Sequence, residues 1–455
     1  NKEMYVIPLS RDSYDDFSGD LKLTSDIRTG MKLMLSGFYG KQQGTNDNNS
    51  GLPGMFRSPS SIASQLDRVS YIDARMFATD YWAPTEITRY GVGAKFTHVL
   101  SPTTFYEVSL NRTSEDYNTN PGRLRDTSRI YQFGNSFFVD EGPFGFQPNP
   151  STGIGSGLRM GVGFSNSRDS SEIHSYSLSS DFTSQIDKNN EVKAGFDFVY
   201  TENKVNYASV DVYLPSGRSQ SKWTTYPIRG ALYIQDKLEF EGMIANIGLR
   251  MDYSDPNQDW YVYDPYTEAF TSQLSLGLDT LLQREETVKQ LTFSPRLGVA
   301  FPISVNSKLY FNYGHQRQMP TPENLFLIRR FSDNNAITRL ANPNNPLQKA
   351  IQYELGYEHN LFDQYLLRVA GYYKDVSLQP ELVEFTNYTS SVNYFVSTPN
   401  GYADHRGVEL TLSKNRGAWV QGFLNYTYRV STSGQFGFEN YFQNPADMRR
   451  EIRET

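Results

Sequence analysis

The five histidines, His98, His174, His315, His359 and His405, are the first residues to test for chemistry. They stand singly along the chain, with no His-Glu-x-x-His or similar spacing that would gather ligands on one metal. No Gly-x-Ser-x-Gly nucleophile turn is present, and the serines are spread through loops and polar strand faces. The adjacent carboxylates Glu285 and Glu286 fall in a polar loop, where water solvates them. The run Gly153-Ile154-Gly155-Ser156-Gly157 does not join a strand to a helix, so it is no phosphate cradle. The chain has no cysteine, which removes disulfides, thiolate metal sites and cysteine nucleophiles. No catalytic constellation is left, and no cofactor or metal is implied.

Two long loops of opposite charge remain. Residues 254–288 hold Asp255, Asp259, Asp264, Glu268, Asp279, Glu285 and Glu286 against the single cation Arg284, together with Trp260, Tyr261, Tyr263 and Tyr266. Residues 315–347 hold Arg317, Arg329, Arg330 and Arg339 against Glu323 and Asp333. One reading makes these loops a ligand mouth, with Trp260, Tyr261 and Tyr263 stacking on substrate and Arg317, Arg329 and Arg330 selecting its charge. The plainer reading pairs the loops with each other or with lipopolysaccharide-linked cations.

What positions such loops is a repeated unit, clearest at residues 289–313. Leu291, Phe293, Pro295, Leu297, Val299 and Phe301 alternate with Gln290, Thr292, Ser294, Arg296, Gly298 and Ala300, the period of a strand with two unlike faces. A turn at Pro302–Ser307 leads to Leu309, Phe311 and Tyr313. The same pattern predicts hairpins over 14–24 and 30–40, 87–100 and 104–110, 176–186 and 192–200, and 232–238 and 245–253. It continues over 351–357 and 367–373, and over 408–412 and 420–426. Their turns are expected at Ser25–Thr29, Ser101–Thr103, Asp187–Asn190, Glu241-Gly242, Asn360–Gln364 and Lys414–Ala418. Within the loop 41–86, Pro59–Arg68 could form a helical turn or two.

About fourteen strands result, joined alternately by short turns and by loops of about 20–60 residues. Loops that long are rare inside a compact soluble domain. They suit a transmembrane antiparallel β-barrel, all-β, with short periplasmic turns and long extracellular loops. Closure would also remove the exposed edges of a long meander. The chain carries 32 Tyr and 29 Phe against 4 Trp, thinly spread aromatics that fit girdles at strand ends. Tyr90, Phe96, Tyr200, Tyr253, Phe301 and Tyr313 stand at such ends. Charged residues expected on the lumen face are Glu107, Asp197, Arg250, Arg296, Arg368, Glu354 and Glu409. They serve either as a wall of ion pairs or as contacts for passing substrate. No apolar run reaches the roughly 18 residues of a membrane helix. The net charge of −7 argues against nucleic acid as a partner. Asn1 opens the chain with neither a basic nor an apolar leader, which reads as an internal piece of something longer.

At this level of detail the chain resembles the barrel of a TonB-dependent outer-membrane receptor. The residues that carry the resemblance start with Tyr233-Ile234-Gln235-Asp236, Gly248-Leu249-Arg250-Met251-Asp252-Tyr253 and Phe293-Ser294-Pro295-Arg296-Leu297-Gly298. They continue with Tyr313-Gly314 leading to Pro320, Asn342-Pro343 leading to Tyr353-Glu354-Leu355-Gly356-Tyr357, and Arg406-Gly407-Val408-Glu409-Leu410. Their order and spacing cover roughly residues 226–430. The resemblance implies a 22-stranded barrel in the outer membrane of a Gram-negative bacterium, filled by a plug domain. Residues 1–455 would then be a partial barrel, about the fourth to the seventeenth strand, with the plug and closing strands outside the chain. It further implies energy-dependent uptake of a scarce nutrient through a TonB-type energy-transducing complex. The bound partners would be outer-membrane lipids, lipopolysaccharide and a small-molecule, glycan or peptide substrate. The aromatic style with long loops is similar to receptors of Bacteroidota-like bacteria, which a carboxypeptidase-regulatory-like domain often precedes. The alternatives are a passive porin-like channel and a surface-exposed structural or adhesion barrel.

Overall fold

The computed structural model describes residues 14–45, 84–119, 130–133, 136–139, 167–210, 218–330, 336–414, 417 and 419–454. Fourteen long strands run through it as one antiparallel meander. They are β1 (Asp15–Arg28), β2 (Met31–Thr45), β3 (Pro84–Ser101), β4 (Thr104–Thr119), β5 (Glu172–Gln185), β6 (Asn190–Val210) and β7 (Ile228–Phe240). The rest are β8 (Met243–Asp255), β9 (Gln290–Ser304), β10 (Ser307–Gln318), β11 (Gln348–Leu361), β12 (Tyr365–Thr386), β13 (Asn393–Lys414) and β14 (Gly422–Gln435). Each pairs with its sequence neighbour, and among the described residues β1 and β14 are the two edges. All seven expected hairpins are present. No helix among the described residues is long and apolar enough to cross a membrane, which says nothing about strands.

The alternation works as read. Met251 faces Phe293, Ile247 faces Leu297, Val299 faces Phe311 and Phe301 faces Leu309. Leu291 and Phe293 remain 55 % exposed, as expected for a sheet whose apolar face meets lipid rather than a protein core. Tyrosines line that face at one level on neighbouring strands. Ring centroids are 6.2 Å apart for Tyr176 and Tyr200, 5.1 Å for Tyr313 and Tyr353, and 6.4 Å for Tyr353 and Tyr373.

The opposite face is held by ion pairs and by aromatic rings lying over glycines. Glu107 meets Lys95 at 2.7 Å, Arg250 spans Asp197 at 3.1 Å and Asp252 at 2.8 Å, and Glu358 takes Lys308 at 2.8 Å and Arg368 at 2.6 Å. Solvent screens such pairs, so each contributes little alone and the network mainly fixes orientation. Phe38, Tyr233, Tyr310 and Tyr372 each stand directly across from a glycine, respectively Gly91, Gly195, Gly356 and Gly407. A Cβ on Gly356 would overlap the Tyr310 ring. The missing side chain is what lets that ring lie flat and its hydroxyl reach Glu354 Oε1 at 3.1 Å.

The turns shift slightly from expectation. β1 runs on to Arg28, and the reversal falls at Thr29-Gly30, where Gly30 takes φ +78°. Around Asp187 the expected turn chemistry operates: its Oδ1 accepts the backbone N–H groups of Asn189 at 2.7 Å and Asn190 at 3.0 Å. Those bonds hold the Asp187 carboxyl below its usual range. The expected helical turns at Pro59–Arg68 and the run Gly153–Gly157 lie outside the described residues. The Lys414–Ala418 turn lies partly outside them.

Candidate functional site

Beyond the expected hairpins, β12 and β13 continue as a long ribbon whose tip, residues 387–392, reaches back over the loops that precede it. The 254–288 loop folds as a small ladder, Asp259–Val262 against Gln283–Glu286, around short helical turns at Glu268–Phe270, Ser275–Gly277 and Leu278–Leu281. Thr267 caps the first turn by accepting the Ala269 N–H. The 315–347 loop, which shows no pattern in the sequence, folds as a helix, Pro322–Phe326, and a hairpin, Ile328–Arg330 with Ile337–Leu340. Pro322 at the first helical position and the run Leu325-Phe326-Leu327-Ile328 are the local signals for it.

These segments share one core. Phe270, Leu278, Ile337, Leu340, Val392 and Tyr394 are each 2 % exposed or less. The Phe270 and Tyr394 rings meet edge-on at 4.7 Å, and Tyr394 donates its hydroxyl to the Pro265 carbonyl at 2.9 Å. Ile337–Leu340 joins the ribbon in parallel, Arg339 beside Phe395 and Leu340 beside Val396. Asn440–Phe442 adds to the other edge beside Glu384–Thr386. Buried Asn345 donates to Ser397 Oγ at 2.9 Å and accepts at its backbone carbonyl from Gln290 Nε2 at 3.0 Å, tying the cap to β9.

The structure brings Trp260, Tyr261 and Tyr263 together, all half-buried and packed against this core. Tyr263 meets Phe270 at 5.1 Å, and burial pushes its hydroxyl up to about 12. Tyr261 donates to Asp279 Oδ1 at 2.6 Å while the Arg284 guanidinium lies over its ring at 4.5 Å. The lone cation of the acidic loop is therefore engaged within that loop. Arg330 joins the same group: its Nη2 donates to the Ser275 carbonyl at 3.0 Å, and burial lowers its pKa against the pull of Tyr261 and Asp279.

Arg329 stands elsewhere, directly across the hairpin from Arg339. Like charges in that position repel. Arg339 donates to Asn324 Oδ1 at 2.9 Å, and burial lowers its pKa. Arg317 is apart from both, at the end of β10 opposite Lys349, beside a recess of about 290 Å³ that Arg229, Arg250 and Asp252 also line. The Nε–H groups of Arg317, Arg329, Arg330 and Arg339 are buried and meet no acceptor among the described residues. Sequence reasoning missed Tyr394 and Asn345. The alternation of Val392, Tyr394 and Val396 could have marked the first, whereas nothing local marks the second.

An antiparallel meander with an apolar outer face, a charged inner face and a folded cap at its long-loop end is the architecture of an outer-membrane β-barrel. The TonB dependent receptor-like β-barrel family matches residues 20–449, so the chain belongs to that family and resides in the outer membrane of Gram-negative bacteria. Among solved structures it is similar to the FrpB iron transporter of Neisseria meningitidis, with 14 % identity over 92 % of this chain and 52 % of that one, TM-score 0.53. The ferric-catecholate import receptor Fiu of E. coli gives 17 % identity, coverage of 92 % and 58 %, and TM-score 0.53. The hemophore receptor HasR of Serratia marcescens gives 14 % identity, coverage of 96 % and 56 %, and TM-score 0.57. The chain spans about half the length of the solved structures it matches. Comparison with curated protein sequences returns no match.

Proposed function

We propose that this barrel belongs to a receptor that takes up a scarce nutrient across the outer membrane, its cap being the capture surface. Energy coupling through a plug domain and a TonB-type complex is part of this reading, as is a small-molecule, glycan or peptide substrate. The observation that carries it is the arginine arrangement. Arg329 and Arg339 stand across from each other on a short hairpin, Arg330 follows beside Tyr261 and Asp279, and the buried Nε–H groups of all three meet no acceptor among the described residues. Fixed, partly desolvated cations favour a negatively charged group on the ligand. Trp260, Tyr261 and Tyr263 supply a rigid aromatic wall beside Arg330, and Arg317 marks the passage toward the lumen.

The test is growth of a receptor-dependent strain on single limiting nutrients: ferric chelates, cobalamin, glycans and peptides. Arg329→Gln with Arg330→Gln is expected to reduce uptake of the supported nutrient about tenfold or more at equal receptor levels, the scale of a binding hot spot. Equal growth of mutant and parent on every supported nutrient would remove the cap from the capture role.

A further inference from the structure

The two loop segments of the cap treat their apolar side chains differently. Among its described residues the 315–347 segment leaves no large apolar side chain exposed. The 254–288 segment does the reverse over residues 274–282, five of which are leucine. Leu278 and Leu282 turn inward and pack in the shared core. Leu274, Leu276 and Leu281 have no part in that core and are 41 %, 71 % and 49 % exposed. Carried on consecutive short turns, they form an apolar ridge on the outer skin of the cap, the kind of surface that marks an interaction site. The ridge is held firmly from beneath. Ser275, between Leu274 and Leu276, is fully buried, and its carbonyl accepts from Arg330 Nη2 at 3.0 Å. Thr280 Oγ1 donates to the Gly277 carbonyl at 2.8 Å. A ridge fixed before it is covered loses little freedom on binding.

The charge carried by the same segment is negative. Its ladder places Asp259 directly across from Glu286, with Glu285 beside it across from Trp260. Like charges paired in this way repel. Arg284 is taken by Asp279 and Lys289 by Glu286. Exposed Asp259 and Glu285 therefore meet no cation within ion-pair distance among the described residues.

Ridge and charge together select the occupant. A second copy of this chain would bring acid against acid, and an anionic ligand would meet the same repulsion. A glycan would find leucines where it needs hydrogen-bonding groups. We propose that the ridge is a docking surface for a polypeptide partner that presents a basic amphipathic helix. Its apolar face rests on Leu274, Leu276 and Leu281, and its lysines or arginines meet Asp259 and Glu285. This surface is separate from the arginines proposed above for capture and does not depend on that reading.

The test uses the full-length receptor in phosphatidylcholine nanodiscs and reads the fluorescence anisotropy of short labelled peptides. The probes are an amphipathic helix of leucine and lysine, the same helix with glutamate in place of lysine, and a scrambled leucine–lysine sequence with no apolar face. The first is expected to saturate at one peptide per receptor, above the background of empty nanodiscs. Leu276→Ser with Leu281→Ser should weaken its binding about tenfold or more by removing two apolar contacts. Asp259→Asn with Glu285→Gln should weaken it less and flatten its salt dependence. All four side chains are exposed and lie outside the shared core, so these variants have no reason to unfold. An unchanged pattern of limited trypsin digestion confirms each cap. Wild-type affinity in either double variant would overturn the proposal. So would equal binding of the glutamate helix or of the scrambled peptide. Binding no greater than that of empty nanodiscs would do the same, because the peptide would then be reading the membrane.

Discussion

The wall and the cap are built from the same chain by opposite rules. In the wall, apolar side chains point away from the protein, and order comes from backbone ladders between sequence neighbours. Ion pairs on the other face, such as Lys95 with Glu107 and Arg250 with Asp197, stay partly wet. In the cap, apolar side chains point at each other, exposure falls to zero at Tyr394 and Leu340, and the partners come from distant parts of the sequence. A membrane barrel can thus carry a water-soluble type of core on its rim. The two parts should fail separately.

The largest effect is expected from Tyr394→Ala. Emptying a fully buried aromatic site costs roughly 3–5 kcal/mol, more than a small cap can absorb. The 254–288 and 315–347 segments should become protease-sensitive on intact cells while the barrel keeps its heat-modifiable migration. A cap as resistant as the parent's would mean that the shared core does not hold it.

Val299→Arg reverses the experiment. An arginine on the lipid face costs up to about 2–4 kcal/mol if Val299 lies near the bilayer midplane, and less toward the interface. Assembly into the outer membrane should drop, and whatever does assemble should carry a normally protected cap. Unchanged assembly would place Val299 away from lipid.

Gly356→Ala comes next, because its Cβ must displace the Tyr310 ring and break the ring's hydroxyl contact with Glu354. Overpacking of this kind costs about 1–3 kcal/mol. The effect should appear as a lower midpoint of denaturant unfolding in detergent, and Tyr310→Ala in the same background should relieve the clash.

The smallest effect is electrostatic. Tyr261 and then Arg284 hold the Asp279 carboxyl below its ordinary value. Its contribution to cap stability is therefore complete above the unfolded value of about 3.9 and is lost as pH falls through the lowered folded value. Asp279 is largely exposed, so screening keeps the contribution small. Asp279→Asn should flatten the acid limb of cap protease resistance and leave neutral behaviour unchanged. An acid limb identical to the parent's would assign it to other carboxylates.

The wall was legible because lipid imposes a period of two that each strand must obey by itself. Leu291 through Phe301 announce their strand without knowledge of any partner. The hairpin turns were legible within a few residues, as at Gly30 and Asp187, because turn chemistry is local. The cap obeys no such filter. Tyr394 finds its acceptor at Pro265, 129 residues earlier, and no window of sequence contains both. The loop arginines and aromatics were legible as residue types, but not their arrangement. That Arg329 would face Arg339, that Arg284 would be tied up with Asp279, and that Trp260, Tyr261 and Tyr263 would rest on a core all depend on contacts between loops. Asn345 was invisible for the same reason, since its role exists only once Ser397 and Gln290 are brought beside it.

The parallel pairing of Ile337–Leu340 with the β12–β13 ribbon has a consequence for how such receptors can diversify. A loop that folds alone can be exchanged, lengthened or trimmed without involving its neighbours. Here the hairpin from one loop is a strand in another's sheet, and the rings from the 254–288 segment complete the same interior. A graft of any one of the three would leave two halves of a core facing water. If the cap is the capture surface proposed above, new specificity there arises by point changes on the outer skin, or by moving all three segments together as one cassette.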